Sequence, residues 1–299
     1  MQELAIVEAP SVLGLRPSGV QELPTALLDA GLLAGLRAVR AVRVDPPAYD
    51  PARDADTGVL NPHAIARYSA RLADAVGGVL DAGRFPVVLG GDCSILLGNL
   101  LALRRRGRHG LLFLDGHTDF YQPSAEPNGE AASMELALAT GRGPWLLTDL
   151  EGRGSLVRDE DVVALGFRDA AESVLAGMQP LPPELHAVDL DGVRASGAAA
   201  AARQAVDRLA AGTGGGFWVH LDVDVLDDAI MPAVDYRQPD GLTWEELESV
   251  LRTALADPRA VGLDVTIFNP RLDPDGTIAA RLAECLRRGL AVRAAPAAD

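Results

Sequence analysis

Cysteine is scarce: the 299 residues contain two, Cys93 and Cys285, far apart in the chain. That number excludes a disulfide framework and agrees with a reducing compartment. Long apolar runs are missing too. The longest, "LLFL" and "FWVHL", are far too short to cross a bilayer. The opening residues "MQELAIVEAP" have no basic stretch ahead of an apolar one, so no signal peptide is expected and the expected location is cytoplasmic. Positive charge is outweighed as well, with 27 Lys and Arg against 42 Asp and Glu and a net charge of −15. An acidic chain repels phosphate backbones, which argues against nucleic acid as a partner. The one basic run, "RRRGR" at 104–108, reads as the solvated end of a helix. No GxxxxGK[ST] phosphate loop, GxSxG elbow or HExxH helix occurs. "GTGGG" at 212–216 precedes a strand instead of following one, so it is no dinucleotide loop.

What is present is an ordinary globular composition, 48% hydrophobic and 23% charged, with ample material for a core. Short Val/Leu/Ile-rich runs at 4–9, 86–90, 110–115, 162–167, 217–223 and 260–266 read as strands apolar on both faces, the pattern of a sheet between two helical layers. Helical stretches lie between them at 63–82, 198–211, 243–256 and 277–290. The first sets Ile65, Tyr68, Leu72, Val76 and Val79 along one stripe, and Thr243 with Glu246 forms a capping box for the third. This alternation predicts a three-layer α/β/α fold with a mainly parallel central sheet. Residues 45–62 read as a long polar loop. No linker or repeat divides the chain, so residues 1–299 are expected to form one domain.

Ligands of such sheets bind beyond the carboxyl ends of the strands. Three strands here end in polar residues that are costly to bury unpaired: "GGDCS", "LDGHTDFY" and "HLDVDVLDD". They offer Cys93, then Asp115, His117 and Asp119, then Asp222 and Asp224. Carboxylates brought together without cations repel one another until one takes a proton. A divalent metal relieves that repulsion, and carboxylate with imidazole suits Mn²⁺ better than soft metals. Residues 222–233 lack the Gly and Glu of a calcium-binding helix–loop–helix.

The order GGD-x-S, D-x-H-x-D, D-x-D-x-x-D resembles the ureohydrolase (arginase–agmatinase) family over nearly the whole chain. "GVQELP" at 19–24, "VALGFRD" at 163–169 and "GLDVTIFNPRLDPDGTIAARL" at 262–282 extend the likeness. The resemblance implies a binuclear Mn²⁺ site, hydrolysis of guanidinium or amidine C–N bonds in a small molecule, and a homo-oligomer, trimer or hexamer. It also implies that Asp115 and Asp222 bridge two ions, with Asp119 and residue 93 completing one shell and His117 and Asp224 the other. Asp119 would pass a proton from the attacking hydroxide to the leaving amine.

This chain departs from that pattern at three places. Cys93 stands where the family has His, and two readings remain open. Either one metal is lost and Cys93 is a buried small residue, or it is a thiolate ligand that shifts the position toward Zn²⁺, Fe²⁺ or Co²⁺. Ile267 stands where the family has a Glu that pairs with the guanidinium group, so another acid, Asp235 or Glu130, must serve, or the substrate is modified: a hydroxyguanidine, an amidine or a formimino compound. Glu130 is expected at the place of a proton-shuttling His, with a surface loop as the plainer reading. His220, two residues before Asp222, reads either as a hydrogen-bond donor to the ligands or as a satisfied core histidine. His63 reads as a helix start, His109 and His186 as loop residues, and Phe217, Trp218, Trp244 and Cys285 as packing. A silent relative that keeps the fold for binding or assembly is the alternative to a hydrolase.

Overall fold

The structure, a computed structural model, describes residues 2–212 and 214–294. Eight strands form one sheet: β1 Leu4–Glu8, β2 Ala38–Arg43, β3 Phe85–Leu89, β4 Gly110–Leu114, β5 Val162–Leu165, β6 His186–Val188, β7 Phe217–Asp222 and β8 Ala260–Thr266. Their order is β2-β1-β3-β8-β7-β4-β5-β6, and every pairing is parallel. β1, β3, β4, β5 and β7 are buried along their whole length, which explains their unbroken apolar runs. All six expected strands are present. The two that sequence reading passed over, β2 and β6, lie at the sheet's edges, where β2 is largely solvent-facing and β6 is three residues long. His186 therefore belongs to a strand, not a loop.

Among the described residues, ten α-helices accompany the strands: α1 Leu23–Asp29, α2 Pro62–Asp81, α3 Leu96–Arg104, α4 Glu135–Ala139, α5 Trp145–Thr148, α6 Ala170–Ala176, α7 Leu190–Ser196, α8 Ala198–Gly212, α9 Trp244–Ala256 and α10 Thr277–Ala294. Because side chains alternate across a strand, neighbouring strand residues feed two separate cores. Leu4, Ile6, Leu112 and Leu114 pack with α1, α7, α8, α9 and α10. Ala5, Val7, Leu111 and Phe113 pack with α2, α3, α4 and α5 on the other face. The result is a three-layer α/β/α arrangement. Each large aliphatic side chain buried in it contributes about 1.5–3 kcal/mol.

Local signals hold the elements in register. The α2 stripe of Ile65, Tyr68, Leu72, Val76 and Val79 is buried throughout. Both hydrogen bonds of the Thr243–Glu246 capping box open α9. The basic run starts at Arg104, the last residue of α3; Arg105 pairs with Asp74 and Glu151, Arg106 with Asp81, and Arg108 with the buried Asp161. Thr213, within the expected strand entry 212–216, lies outside the described residues.

Candidate metal centre

The three motif-bearing strands are brought together by topology. β3, β7 and β4 lie in the middle of the sheet, with β8 inserted between β3 and β7, so their carboxyl ends open onto one place. After β3, Gly90 and Gly91 leave no room for a side chain: a Cβ on Gly91 would stand 1.7 Å from the Ser11 carbonyl oxygen. Asp92 then caps the next turn, accepting from the Ser94 amide at 2.9 Å and the Ser11 hydroxyl at 2.8 Å. "GGD" is thus a device that turns the chain sharply and presents Cys93.

Cys93 is buried, and its thiol is 2.9 Å from Asp222 Oδ2 and 3.1 Å from Thr266 Oγ1. Asp222 also accepts from the Asp224 amide at 2.8 Å. Asp224 accepts from the Gly116 amide at 3.0 Å and faces His117 Nδ1 at 2.9 Å. Asp115 accepts from the His117 amide at 2.6 Å through Oδ1, while its Oδ2 has no partner among the described residues. Asp119, at the left-handed φ of 43°, is buried beside the Glu135 carboxylate. Ligand-type atoms of Asp115, His117 and Asp119 lie within 4.8 Å of one another, as do those of Asp115, Asp222 and Asp224. Asp115 is common to both groups.

Two residues outside the ligand motifs set these loops. Arg168 donates to the carbonyls of Asp224, Leu226 and Gln238 at 3.0, 3.2 and 3.0 Å. Asp169 Oδ2 accepts from the Thr118 amide and hydroxyl at 2.9 and 2.8 Å. The "RD" after β5 therefore fixes the loops that follow both β7 and β4.

The electrostatics show an unbalanced cluster of acids. Burial, then the charges of Asp119, Asp222 and Asp224, pushes Asp115 well above the usual carboxylate range. Asp222 rises through burial and Asp224, Asp119 through burial and Glu135, and Glu135 through burial and the charge of Asp115, although Asp119 beside it works the other way. Burial, then Asp222, pushes the Cys93 thiol up. Burial alone would lower His117, but Asp224 and Asp119 outweigh it and raise the imidazole to about 9. Burial likewise works against the Asp224 anion, and His117 overcomes it to hold that carboxyl low. Like charges packed this closely need cations or shared protons.

The expected substrate residues fare differently. A cavity of about 250 Å³ lies over His117, Asp119, Asp222 and Asp224, and Asp235, Tyr236 and Ile267 line it too. Asp235 reaches the wall, but its oxygens accept from the Ser18 hydroxyl and from Asn269 Nδ2. Glu130 is not among the lining residues. One of its oxygens takes the Arg16 amide at 3.0 Å and the other the Tyr236 hydroxyl. Only 2% of it is exposed, so the surface-loop reading is wrong, and its carboxylate is committed to a structural tie, not aimed at the pocket. Ile267, at a φ of 73° that a β-branched residue adopts only under constraint, is held by its amide's bond to the Gly91 carbonyl at 2.8 Å.

His220 is neither of the two things expected of it. Its Nδ1 is 2.6 Å from Asp264 Oδ2, yet its Nε2 is buried with no partner, so it is only half satisfied. Glu135 was missed altogether. The signal available was one glutamate inside the apolar stretch "MELALA".

A sequence model described as the arginase family matches residues 2–291. The chain is 26% identical over 276 residues to an arginase of Staphylococcus aureus (strain MRSA252), covering 90% of each chain. It also superimposes on the solved structure of arginase from Bacillus caldovelox with a TM-score of 0.84 at 26% identity, covering 97% of this chain and 98% of that one. A formimidoylglutamase structure from Bacillus subtilis shares the fold, with a TM-score of 0.74 at 17% identity over 99% of this chain and 88% of the other.

Proposed function

The chain belongs to the arginase family, and from that premise we propose that it is a metal-dependent hydrolase of linear, non-peptide C–N bonds in a small molecule. The observation that carries the proposal is the convergence of two strand ends: His117, Asp119, Asp222 and Asp224 line one cavity, and ligand-type atoms of the buried Asp115 lie within 4.8 Å of those of both groups. The donor set fits divalent metal: an unpartnered Asp115 oxygen and acids raised by mutual repulsion are what a cation would satisfy. Cys93, Asp115, His117, Asp119, Asp222 and Asp224 would hold one or two such ions. Mn²⁺ is proposed for the oxygen-rich position, and Zn²⁺, Fe²⁺ or Co²⁺ beside Cys93. When bound, such ions act as Lewis acids and bring the pKa of a bound water toward neutrality.

The chain's own residues supply the rest. Asp119, lining the cavity with its anion disfavoured by burial and Glu135, is suited to hold a proton and pass it to the leaving nitrogen. Ile267 in the wall offers no anion to a guanidinium group, and Asp235 is fixed by Ser18 and Asn269. With the family's guanidinium-pairing acid replaced by Ile267, the proposed reacting group is a modified one: a hydroxyguanidine, an amidine or a formimino group. A trimer or hexamer working in the cytoplasm is proposed on family grounds; among the described residues no helix is long and apolar enough to cross a membrane.

The test is a hydrolysis screen of metal-loaded protein over guanidines, hydroxyguanidines, amidines and formimino compounds, with Asp115→Ala alongside. Turnover of a non-guanidine substrate, lost by about 100- to 1,000-fold in the variant, is expected on the usual scale of lost electrostatic stabilisation. Equal activity of variant and parent, or no turnover of any compound with Mn²⁺ or Zn²⁺, would leave the silent-relative reading.

A further inference from the structure

The imidazole that this chain lacks at position 93 is present from another strand. In the β7–β8 register His220 sits opposite Asp264, and in the β4–β7 register opposite Phe113. Those neighbours fix its ring completely. Asp264 Oδ2 takes Nδ1 at 2.6 Å, and Phe113 stacks on the ring face, centroids 4.9 Å apart and planes 19° from parallel. Asp264 is itself anchored by the indole N–H of Trp218. A carboxylate on Nδ1 sets the tautomer, leaving Nε2 as a free lone pair, the arrangement by which proteins orient metal-binding histidines.

That lone pair is in a place of unmet acceptors. His220 and Glu135 are fully buried, and His220 Nε2, both Glu135 carboxylate oxygens and Asp115 Oδ2 have no hydrogen-bond partner among the described residues. An unpaired buried polar atom costs about 1–3 kcal/mol, so several together in one spot call for a shared partner. Ligand-type atoms of Cys93, Asp115, Glu135 and His220 all lie within 4.8 Å of one another. All four residues are acceptors once deprotonated, and a cation satisfies acceptors that have no donor between them.

We propose that Cys93, Asp115, Glu135 and His220 form a four-ligand metal position in which His220 supplies the imidazole and Glu135 a carboxylate. One sulfur, one nitrogen and two oxygens suit a tetrahedral Zn²⁺, with Fe²⁺ or Co²⁺ next, and disfavour Mn²⁺. The chain therefore holds two unlike positions: this buried one, and an oxygen-rich one on the side of His117, Asp222 and Asp224. Loading the first releases protons from Cys93 and Glu135. The inference rests on the reading of the site as a metal centre and specifies which residues make it.

The experiment is metal analysis, independent of turnover. Parent protein, Glu135→Gln and His220→Asn are reconstituted with equimolar Zn²⁺ and Mn²⁺, dialysed against a weak chelator and assayed for metal per chain. Asn at 220 can keep a nitrogen on Asp264 while removing Nε2. The parent is expected to retain one Zn²⁺ that Mn²⁺ does not displace. Each variant should bind it more than about 100-fold more weakly, beyond the 10–100-fold that loss of an outer-shell partner costs. Since His220→Asn risks the fold, Co²⁺ titration of the unmutated protein is the second readout: a near-UV thiolate-to-cobalt band should grow to one equivalent and vanish in Cys93→Ser. Folded variants that hold Zn²⁺ as tightly as the parent would overturn the inference and leave the hydrolase reading intact. A parent that binds neither Zn²⁺ nor Mn²⁺ would overturn both.

Discussion

Single residues decide what this site prefers. Ile267 is in a left-handed conformation, at φ 73°, which costs on the order of 1–3 kcal/mol for a non-glycine residue. Ile267→Glu should therefore fold, because the position already tolerates a side chain, and should place a carboxylate in the cavity wall. A tenfold or greater rise in kcat/KM for guanidines relative to amidines is expected, and an unchanged ratio would remove Ile267 from the specificity argument. A second residue-scale effect concerns pH. Burial lowers the half-buried His109 below its ordinary value of 6.5. The unfolded chain then binds more protons than the folded one between that lowered value and 6.5. Stability should be fully present above about 6.5 and fall as pH drops toward the lowered pKa. His109→Gln should flatten that part of the curve, which thermal melts between about pH 7.5 and 5 would check; parallel curves would count against it.

At the scale of elements, ligand placement depends on segments that carry no ligand. Arg168 joins the loop after β5 to carbonyls in the loop after β7. Removing it leaves partly buried carbonyls without their charged donor, a cost of about 1.5–3 kcal/mol. Arg168→Ala should thus lower the free energy of unfolding by that amount and depress metal affinity and turnover together. Arg168→Lys should not rescue it, because a point ammonium cannot span carbonyls that a planar fork reaches. Rescue by Lys would mean that only the charge matters. The short α4 has a similar part to play, since its first residue is Glu135. A helix of five residues has little stability of its own, and its place is set by the packing of Leu136 and Leu138 into the core.

For the whole molecule, clustered acids at the sheet's centre are a cost of folding that a bound cation offsets. A metal that binds only the folded chain stabilises it by about 2.7 kcal/mol at 100 times its dissociation constant. Melting temperature should therefore rise by several degrees on adding Zn²⁺ or Mn²⁺ and fall again with chelator, as scanning calorimetry would show. A curve indifferent to both would contradict the metal centre.

The fold was legible because its signals are local. Apolar runs mark the buried strands, the Ile65–Val79 stripe marks α2, and Thr243 with Glu246 marks the start of α9. Edge strands β2 and β6 were not, since a partly solvated or three-residue strand has no distinctive pattern. Within the site, the motifs after β4 and β7 could be read because each keeps its ligand-type side chains close in sequence, Asp115, His117 and Asp119 after one strand and Asp222 and Asp224 at the end of the other. Sequence alone therefore determined the layered fold, the family resemblance and most of the acids. What it could not settle was who stands beside whom across strands. That β8 lies between β3 and β7, that Asp264 turns His220 toward Cys93, and that Glu135 arrives from a helix are facts of long-range pairing. Glu130 and Asp235 looked available in the chain, but their hydrogen bonds to distant residues had already engaged them. Those partners meet only when the chain folds, because burial and strand order, not spacing, bring their atoms within reach.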